Sequence, residues 1–133
     1  LVGDIEREQE LALVAARPEA LAAEVLLVPH HGSKTSSSEA FLDAVAPRVA
    51  LVQAGYRNRF GHPAPAVAAR YAARGIALVE SPRCGAWRFG PAGAQCWRGV
   101  SRRYWHHPDG AEPSSGLEVA NSPSTADDAV AED

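Results

Sequence analysis

Residues 24–38 of the chain, EVLLVPHHGSKTSSS, join an uninterrupted apolar run to two adjacent histidines and a loop rich in hydroxyl groups. The run at 24–28 predicts a β-strand covered on both faces, which Pro29 ends. The histidines therefore follow the carboxyl end of a buried strand, where α/β sheets usually keep their functional sites. This stretch predicts an α/β fold with its chemistry at one edge of the sheet.

Helices and strands alternate along the rest of the chain, as an α/β layer structure requires. Apolar spacing, proline and glycine positions and a Ser36-to-Glu39 capping box place the boundaries. The predicted elements are helices over 6–16, from Ser36 to Pro47 and over 65–74, strands over 1–2, 24–28, 48–53 and 76–80, and a hairpin of 86–89 with 94–98. The first helix is expected to bury Leu11, Val14 and Ala15.

The 133 residues are 46% apolar and 22% charged, as in an ordinary globular domain. No apolar run approaches the roughly 20 residues of a membrane helix. Residues 108–133 carry seven acidic residues and no Lys or Arg, which leaves 1–107 with a net charge of +4. We expect a partial domain over 1–107 and a disordered Pro/Ser/acidic tail over 108–133. Because the sequence has no methionine, we also expect a soluble C-terminal piece of a longer protein.

The two cysteines, Cys84 and Cys96, flank the predicted hairpin. With the turn at 90–93, Cys96 lies opposite Trp87, whereas Cys84 falls three positions away on the other face. This geometry is poor for a disulfide, so free thiols are expected. Trp87 and Trp97 are predicted to form the core of the hairpin.

Three polar segments follow strands and should converge on one rim of the sheet: Gly3-Asp4, His30-His31 and Gly61-His62-Pro63. A carboxylate with imidazoles is a ligand set favoured by zinc and usable by manganese or iron. Two plainer interpretations stay open. Asp4 can instead cap the first helix, and the histidines can instead bond to a neighbouring loop and face solvent.

The segments GDIEREQE (3–10), LLVPHHGSKTSSSEAFLDAVAPRVAL (26–51) and GYRNRFGHP (55–63), with the hairpin, resemble the C-terminal half of the metallo-β-lactamase-like domain of ComEC-type DNA-uptake competence proteins. The resemblance covers residues 1 to about 100. It implies an αββα sandwich that holds two divalent metal ions, Zn or Mn. Asp4 would bridge the metals, and His30 would be the last metal-binding histidine. His31 and His62 would be catalytic, either facing the substrate or transferring a proton.

The loops beside these histidines offer groups that suit a phosphate. Ser33, Lys34 and Thr35 provide hydroxyls, a cation and backbone N–H groups, and Arg57 with Arg59 would add contacts beside His62. The plainer alternative for each of them is a solvated loop surface.

The function that the resemblance implies is a metal-dependent nuclease that cleaves phosphodiester bonds of incoming DNA, with a single strand as substrate. The parent protein would lie in the bacterial inner membrane with this domain outside the cytoplasm. The partners would be DNA and the rest of the parent, with no small organic cofactor. The HxHxDH ligand motif of that superfamily is absent from this sequence, so we expect it before Leu1 and expect the isolated chain to be inactive.

Two alternatives to the nuclease remain. One keeps the fold and hydrolyses small phosphodiesters, such as phosphocholine esters. The other is a noncatalytic module that binds nucleic acid. In either case, half of a sandwich should expose a sheet edge and an apolar face, which predicts an oligomeric or poorly soluble chain.

Overall fold

A computed structural model describes residues 2–90 and 93–101 of the chain. Its main sheet has three parallel strands, β1 (Val25–Leu27), β2 (Val49–Val52) and β3 (Ala77–Glu80), in the order β1-β2-β3. Leu26 pairs with Ala50, and Ala50 with Leu78. Parallel neighbours need a crossover, and helices α2 (Glu39–Val45) and α3 (Pro65–Ala73) provide the two crossovers. The predicted α/β class is confirmed.

One face of this sheet carries the core. Side chains alternate between the two faces of a strand, and the strand residues of the core share one parity. The core residues are Leu26, Val28, Phe41, Leu42, Val45, Ala50, Val52, Ala64, Val67, Tyr71 and Ile76. Because the others come from α2, α3 and their flanks, both helices cover the same face.

The opposite face of the sheet is less well covered. Leu27, Leu51 and Val79 point to it and are only half-buried, although Val49 is buried. The prediction of strands covered on both faces is therefore confirmed on one face only. Apolar side chains on a half-covered sheet are an unused packing surface.

Helix α1 (Arg7–Ala16) buries only part of the predicted stripe, since Val14 packs half-buried against the core whereas Leu11 and Ala15 are exposed. Leu11 is 41% exposed, whereas Glu10, one position earlier, is fully buried. The prediction from apolar spacing was wrong for Leu11 and Ala15 because α1 packs against the serine-rich loop. The partners that this loop offers are backbone N–H groups, which suit a carboxylate better than a leucine.

The predicted capping box of α2 was also wrong. The helix begins at Glu39, and Ser38 rather than Ser36 is its N-cap residue. The Ser36 hydroxyl is buried and donates to the carbonyl oxygens of Pro29 (2.9 Å) and Ser33 (3.0 Å). It therefore closes the loop instead of capping the helix. The prediction for α3 is confirmed, with Pro65 in its first turn and Gly75, at φ +66°, just after its end.

The hairpin has the predicted register: in β4 (Trp87–Gly90) and β5 (Gly93–Cys96), Trp87 lies opposite Cys96. The prediction of free thiols was wrong, because Cys84 and Cys96 form a disulfide, with Cα atoms 4.7 Å apart. Cys84 ends a short helix, α4 (Ser81–Cys84), so the alternation rule of strands does not apply to it. Gly85, at φ +70°, then turns the chain into β4.

The two tryptophans of the hairpin differ. Trp87 is half-buried and stacks on Phe89, with ring centroids 5.4 Å apart. Trp97 begins a last helical turn, α5 (Trp97–Val100), and is 51% exposed, so its predicted core position was wrong.

Two further predictions fall wholly or partly on residues that the structure does not describe. The predicted tail at 108–133 and Leu1 of the predicted first strand lie outside the described residues, and Val2 is not in a strand. None of the helices described is long and apolar enough to cross a membrane.

Candidate imidazole and carboxylate site

The two adjacent histidines lie in a tight turn at the carboxyl end of β1. Residues Pro29–Gly32 form this turn, and both histidines have left-handed backbone angles: φ is 45° at His30 and 55° at His31. For a residue with a side chain this conformation costs about 1 kcal/mol or more. Among residues 2–90 and 93–101, five non-glycine residues have positive φ, namely His30, His31, Ser37, Ala46 and Arg57. The strain is therefore concentrated in the loops that sequence analysis singled out.

Each histidine lies beside a carboxylate from the segment before α1. Asp4 Oδ1 is 3.6 Å from His31 Nε2, and Glu6 Oε1 is 3.1 Å from His30 Nδ1. The backbone N–H of His30 donates to the Gly3 carbonyl (3.0 Å), which ties the two segments together. The predicted convergence of Asp4 with the histidines is thus present, with His31 rather than His30 as its neighbour.

Asp4 does not cap α1, because Glu6 is the N-cap residue of that helix. The Glu6 backbone N–H donates to Gln9 Oε1 (3.1 Å). The Glu6 side chain also accepts a hydrogen bond from the Thr35 hydroxyl (2.9 Å). Glu6 was not among the site residues predicted from the sequence. The signal for it was the spacing of two residues from Asp4, which lets both carboxylates reach the same turn.

The hydrogen bond of one ring nitrogen determines the state of the other in His31. Nδ1 lies 2.7 Å from the Gln53 carbonyl oxygen. A carbonyl can only accept, so Nδ1 carries the proton and donates. In the neutral ring, Nε2 then keeps its lone pair on the side of Asp4. Metal-binding histidines in proteins commonly have this arrangement, with the second nitrogen donating to a carbonyl.

The segment around His62 packs directly on the histidine turn. The Ala64 backbone N–H donates to the Gly32 carbonyl (2.8 Å). A Cβ atom at Gly32 would lie 2.7 Å from Pro63 Cβ, which follows a cis peptide bond. Glycine at position 32 therefore permits the approach of the two loops. The structure brings the His62 segment to the turn that carries His30 and His31, as predicted.

Two of the imidazole nitrogens lack hydrogen bonds. Nδ1 of His30 and Nδ1 of His62 are buried and make none within the described part of the chain. The Glu6 oxygen is close to His30 Nδ1, but its direction does not suit a hydrogen bond. Buried polar atoms without partners are rare in proteins and often mark a binding or catalytic role.

The predicted phosphate-binding residues lie in two places. Ser33 and Thr35 join the site through their hydroxyls, which are 3.1 Å apart, and through Glu6. Lys34 is exposed and lines a groove of about 700 Å³ between α1 and the loop at 33–40. Arg57 and Arg59 are exposed in the loop before His62.

A buried network lies beneath the site, and sequence analysis did not predict it. The two oxygens of Glu10 accept hydrogen bonds from the backbone N–H groups of Ser37 (2.6 Å) and Ser38 (2.7 Å). Arg70 donates to the carbonyls of Ser36 and Ser37, both at 3.0 Å. The Ser37 hydroxyl and the Tyr71 hydroxyl share a hydrogen bond of 3.0 Å. The network holds the loop that leads away from the histidines.

Three known proteins are similar in sequence to parts of this chain. The chain is 42% identical over 90 residues to Competence protein ComA of Neisseria gonorrhoeae and 43% identical over 63 residues to ComE operon protein 3 of Bacillus subtilis. These matches support a competence-related family. The chain is also 35% identical over 112 residues to the uncharacterised protein YcaI of Escherichia coli. No protein-family profile and no solved structure matches the chain.

The chain spans only a small part of the length of these relatives. The matched regions cover 68%, 47% and 80% of the chain but only 13%, 8% and 15% of ComA, ComE operon protein 3 and YcaI, respectively. The αββα sandwich stays a prediction, while the α/β class is established by the strand order.

The donors of the site suit a divalent metal in their chemistry. Imidazole nitrogens and carboxylate oxygens are ligands of zinc and manganese. Within residues 2–90 and 93–101, no three His, Cys, Asp or Glu side chains are grouped closely enough to hold a metal ion. The donor set of the described residues is therefore a partial one, and the predicted two-metal site stays a prediction.

Proposed function

We propose that this chain forms part of a metal-dependent hydrolase that cleaves phosphodiester bonds of DNA during competence uptake. The observation that carries the proposal is the pairing of Asp4 with His31 and of Glu6 with His30 at the carboxyl end of β1. The similarity to Competence protein ComA supports the setting.

Four side chains of the rim would hold the metal ions. Asp4 and His30 are the ligands that the sequence predicts, and the contacts add Glu6 and His31 as further donors. Two divalent ions, Zn or Mn, held with the help of these side chains would supply Lewis-acid activation of a water near neutral pH. The Gln53 carbonyl orients His31 so that its Nε2 lone pair faces the rim.

The neighbouring loops would position the substrate. His62 precedes Pro63, which lies against the histidine turn, so its imidazole would be near the metal ions and would transfer a proton to or from an oxygen of the phosphodiester. The segment from Ser33 to Thr35 would bind the phosphate mainly through the positive charge of the exposed Lys34, since the Thr35 hydroxyl already donates to Glu6. Arg57 and Arg59 would contact the phosphates on either side of the scissile bond.

The setting of the reaction is also part of the proposal. The parent protein would lie in the bacterial inner membrane with this domain outside the cytoplasm. A DNA strand and the rest of the parent would be its partners. We propose that the rest of the parent supplies the metal ligands that complete the donor set.

Metal binding tests the proposed site first. We expect the longest native protein that contains this chain to bind Mn²⁺ or Zn²⁺ in a calorimetric titration, and Asp4→Ala to weaken binding at least tenfold. Glu8→Ala is the matched control, because Glu8 is an exposed carboxylate in the first turn of α1. Equal metal affinity in the unsubstituted protein and in Asp4→Ala would show that Asp4 is not a metal ligand.

Cleavage tests the substrate. The longest native protein that contains this chain should cut end-labelled single-stranded DNA when Mn²⁺ is added, and His31→Ala should slow the cutting at least a hundredfold. Rapid turnover of bis(p-nitrophenyl) phosphate with intact DNA would favour the hydrolase of small diesters. Binding of DNA without any turnover would favour the noncatalytic module.

A further inference from the structure

One side chain ties together the two ends of the loop from Gly55 to His62. Asn58 Oδ1 accepts a hydrogen bond from the His62 backbone N–H (2.8 Å), and its Nδ2 donates to the carbonyls of His62 (2.8 Å) and Gly55 (3.4 Å). Asn58 thus joins the two ends of the loop. The residues on either side of Asn58 are therefore presented in a defined direction.

The loop presents two pairs of an aromatic ring and a guanidinium. Arg57 lies over the ring of Tyr56 at 5.2 Å, and Arg59 over the ring of Phe60 at 5.0 Å. Phe60 is nevertheless 68% exposed, more than any other large apolar side chain in the described residues. Such a ring in an ordered loop offers an apolar face to a flat ligand, and the arginines beside it offer charge to an anion.

The position of the loop connects it to the proposed site. The rings of Phe60 and His62 are stacked, with centroids 5.8 Å apart and planes inclined by 16°. His62 precedes Pro63, which lies against the histidine turn at Gly32. A ligand stacked on Phe60 would therefore continue toward the imidazoles of the rim.

We propose that this loop binds single-stranded nucleic acid by stacking an unpaired base on Phe60, with Tyr56 as a second ring and Arg57 and Arg59 on adjacent phosphates. A single strand exposes the faces of its bases to such rings. A duplex keeps those faces inside its own stack, so it can reach only the arginines. The inference rests on the proposed function for the role of the bound strand, but the binding itself needs neither metal nor hydrolysis.

Fluorescence anisotropy with EDTA present tests the binding without catalysis. The probes are a labelled oligo-dT of about 12 nucleotides, the same length of abasic strand, and a blunt duplex. We expect oligo-dT to bind more tightly than either of the others. Phe60→Ala should weaken oligo-dT binding about 5- to 100-fold, the loss of one stacked base, and leave the abasic strand unaffected.

Two variants complete the test. Phe89→Ala removes another exposed ring, on β4, and should bind as the parent does. Arg59→Ala should weaken oligo-dT and the abasic strand alike and reduce the salt dependence of both. Because Phe60 and Arg59 are exposed, the melting temperature of both variants should equal that of the unsubstituted chain.

The inference is overturned if Phe60→Ala binds oligo-dT as tightly as the unsubstituted chain does. It is also overturned if the unsubstituted chain binds the abasic strand as tightly as oligo-dT, or if it binds no strand. Any of these results together with metal-dependent cleavage of DNA would leave the proposed hydrolase intact. Binding that depends on Phe60, in a protein that cleaves nothing with any metal, would sink the hydrolase and leave the loop as a nucleic-acid site.

Discussion

The two halves of residues 29–38 use polar side chains in opposite ways. In the first half, His30 and His31 stand at the rim in left-handed conformations, and Nδ1 of His30 has no hydrogen bond in the described structure. In the second half, the serines at 36–38 are buried, and Glu10 accepts hydrogen bonds from the backbone N–H groups of two of them. The ten residues thus change from half-buried and exposed side chains at the rim to buried and hydrogen-bonded ones, although Ser37 in the buried half is also left-handed.

The contrast shows how a strained turn can persist. Backbone strain remains only where the surrounding structure determines the conformation more strongly than the strain opposes it. The buried half supplies that constraint, since the Ser36 hydroxyl reaches back to the carbonyl of Pro29, beside the histidines. The buried network therefore stabilises the strained conformation of the histidine turn. The predictions below test the stability of the network and the strain of the turn separately.

The largest effect is expected at Glu10. Glu10→Ala removes the acceptor of two buried N–H groups at the start of α2 and should lower the free energy of unfolding by about 3 to 5 kcal/mol. Equilibrium unfolding in urea measures it. Glu8→Ala, an exposed neighbour on the same helix, should change it by less than about 0.5 kcal/mol. If both variants unfold at the same urea concentration, the loop does not depend on Glu10.

The next effect is a loss of stability at alkaline pH through Tyr71. Burial, with a smaller contribution from the Glu10 carboxylate, raises the pKa of Tyr71 to about 12, despite the opposing hydrogen bond with Ser37. The phenol of the unfolded chain loses its proton first, near pH 10. The stabilisation from the protonated phenol is therefore complete below pH 10 and is lost as the pH rises to about 12, a change of about 2 to 3 kcal/mol.

Tyr71→Phe isolates this effect. At pH 7 it should cost about 1 kcal/mol, since the Ser37 hydroxyl loses its partner. Between pH 10 and 12 the stability of the variant should fall less steeply than that of the unsubstituted chain, so the two curves should cross and the variant should be the more stable one at pH 12. Thermal melts across this range measure both curves. Parallel curves would mean that Tyr71 ionises equally easily in the folded and unfolded chain.

The sequence predicted the parts of the molecule that depend on periodicity. The parallel strands, α3 and the pairing of Trp87 with Cys96 follow from alternation and from proline and glycine positions. The convergence of the His62 segment on the histidine turn could be predicted because polar segments after parallel strands share one sheet edge. The same reason does not account for Asp4, since Val2 is not in a strand.

The errors arose where contacts distant in sequence overrule a local pattern. Ser36 and Glu39 match a capping box, yet the Ser36 hydroxyl finds partners in the turn before it. Glu10 interrupts an apolar helix face because its partners lie 27 and 28 residues away. Glu6 pairs with a histidine in the same way. No spacing within a single helix reveals such a partner.

The smallest effect tests the strain at the rim itself. His31→Ala and His31→Gly both remove the imidazole and its bond to Gln53, so the difference between them reports the backbone alone. At φ 55° glycine avoids the cost of a Cβ atom, and His31→Gly should be more stable than His31→Ala by about 1 kcal/mol in urea unfolding.

Ser33 provides the control for this comparison, in the same loop but with φ −58°. There the glycine variant should be the less stable of the two, because glycine loses more conformational entropy on folding and relieves no strain. Opposite signs of the glycine-to-alanine stability difference at the two positions would show that the backbone strain lies in the histidine turn. The buried half of the loop would then be what stabilises the strained conformation. A glycine variant that is less stable than alanine at both positions would mean that the turn carries no strain to be supported, and the division of residues 29–38 into support and rim would fail.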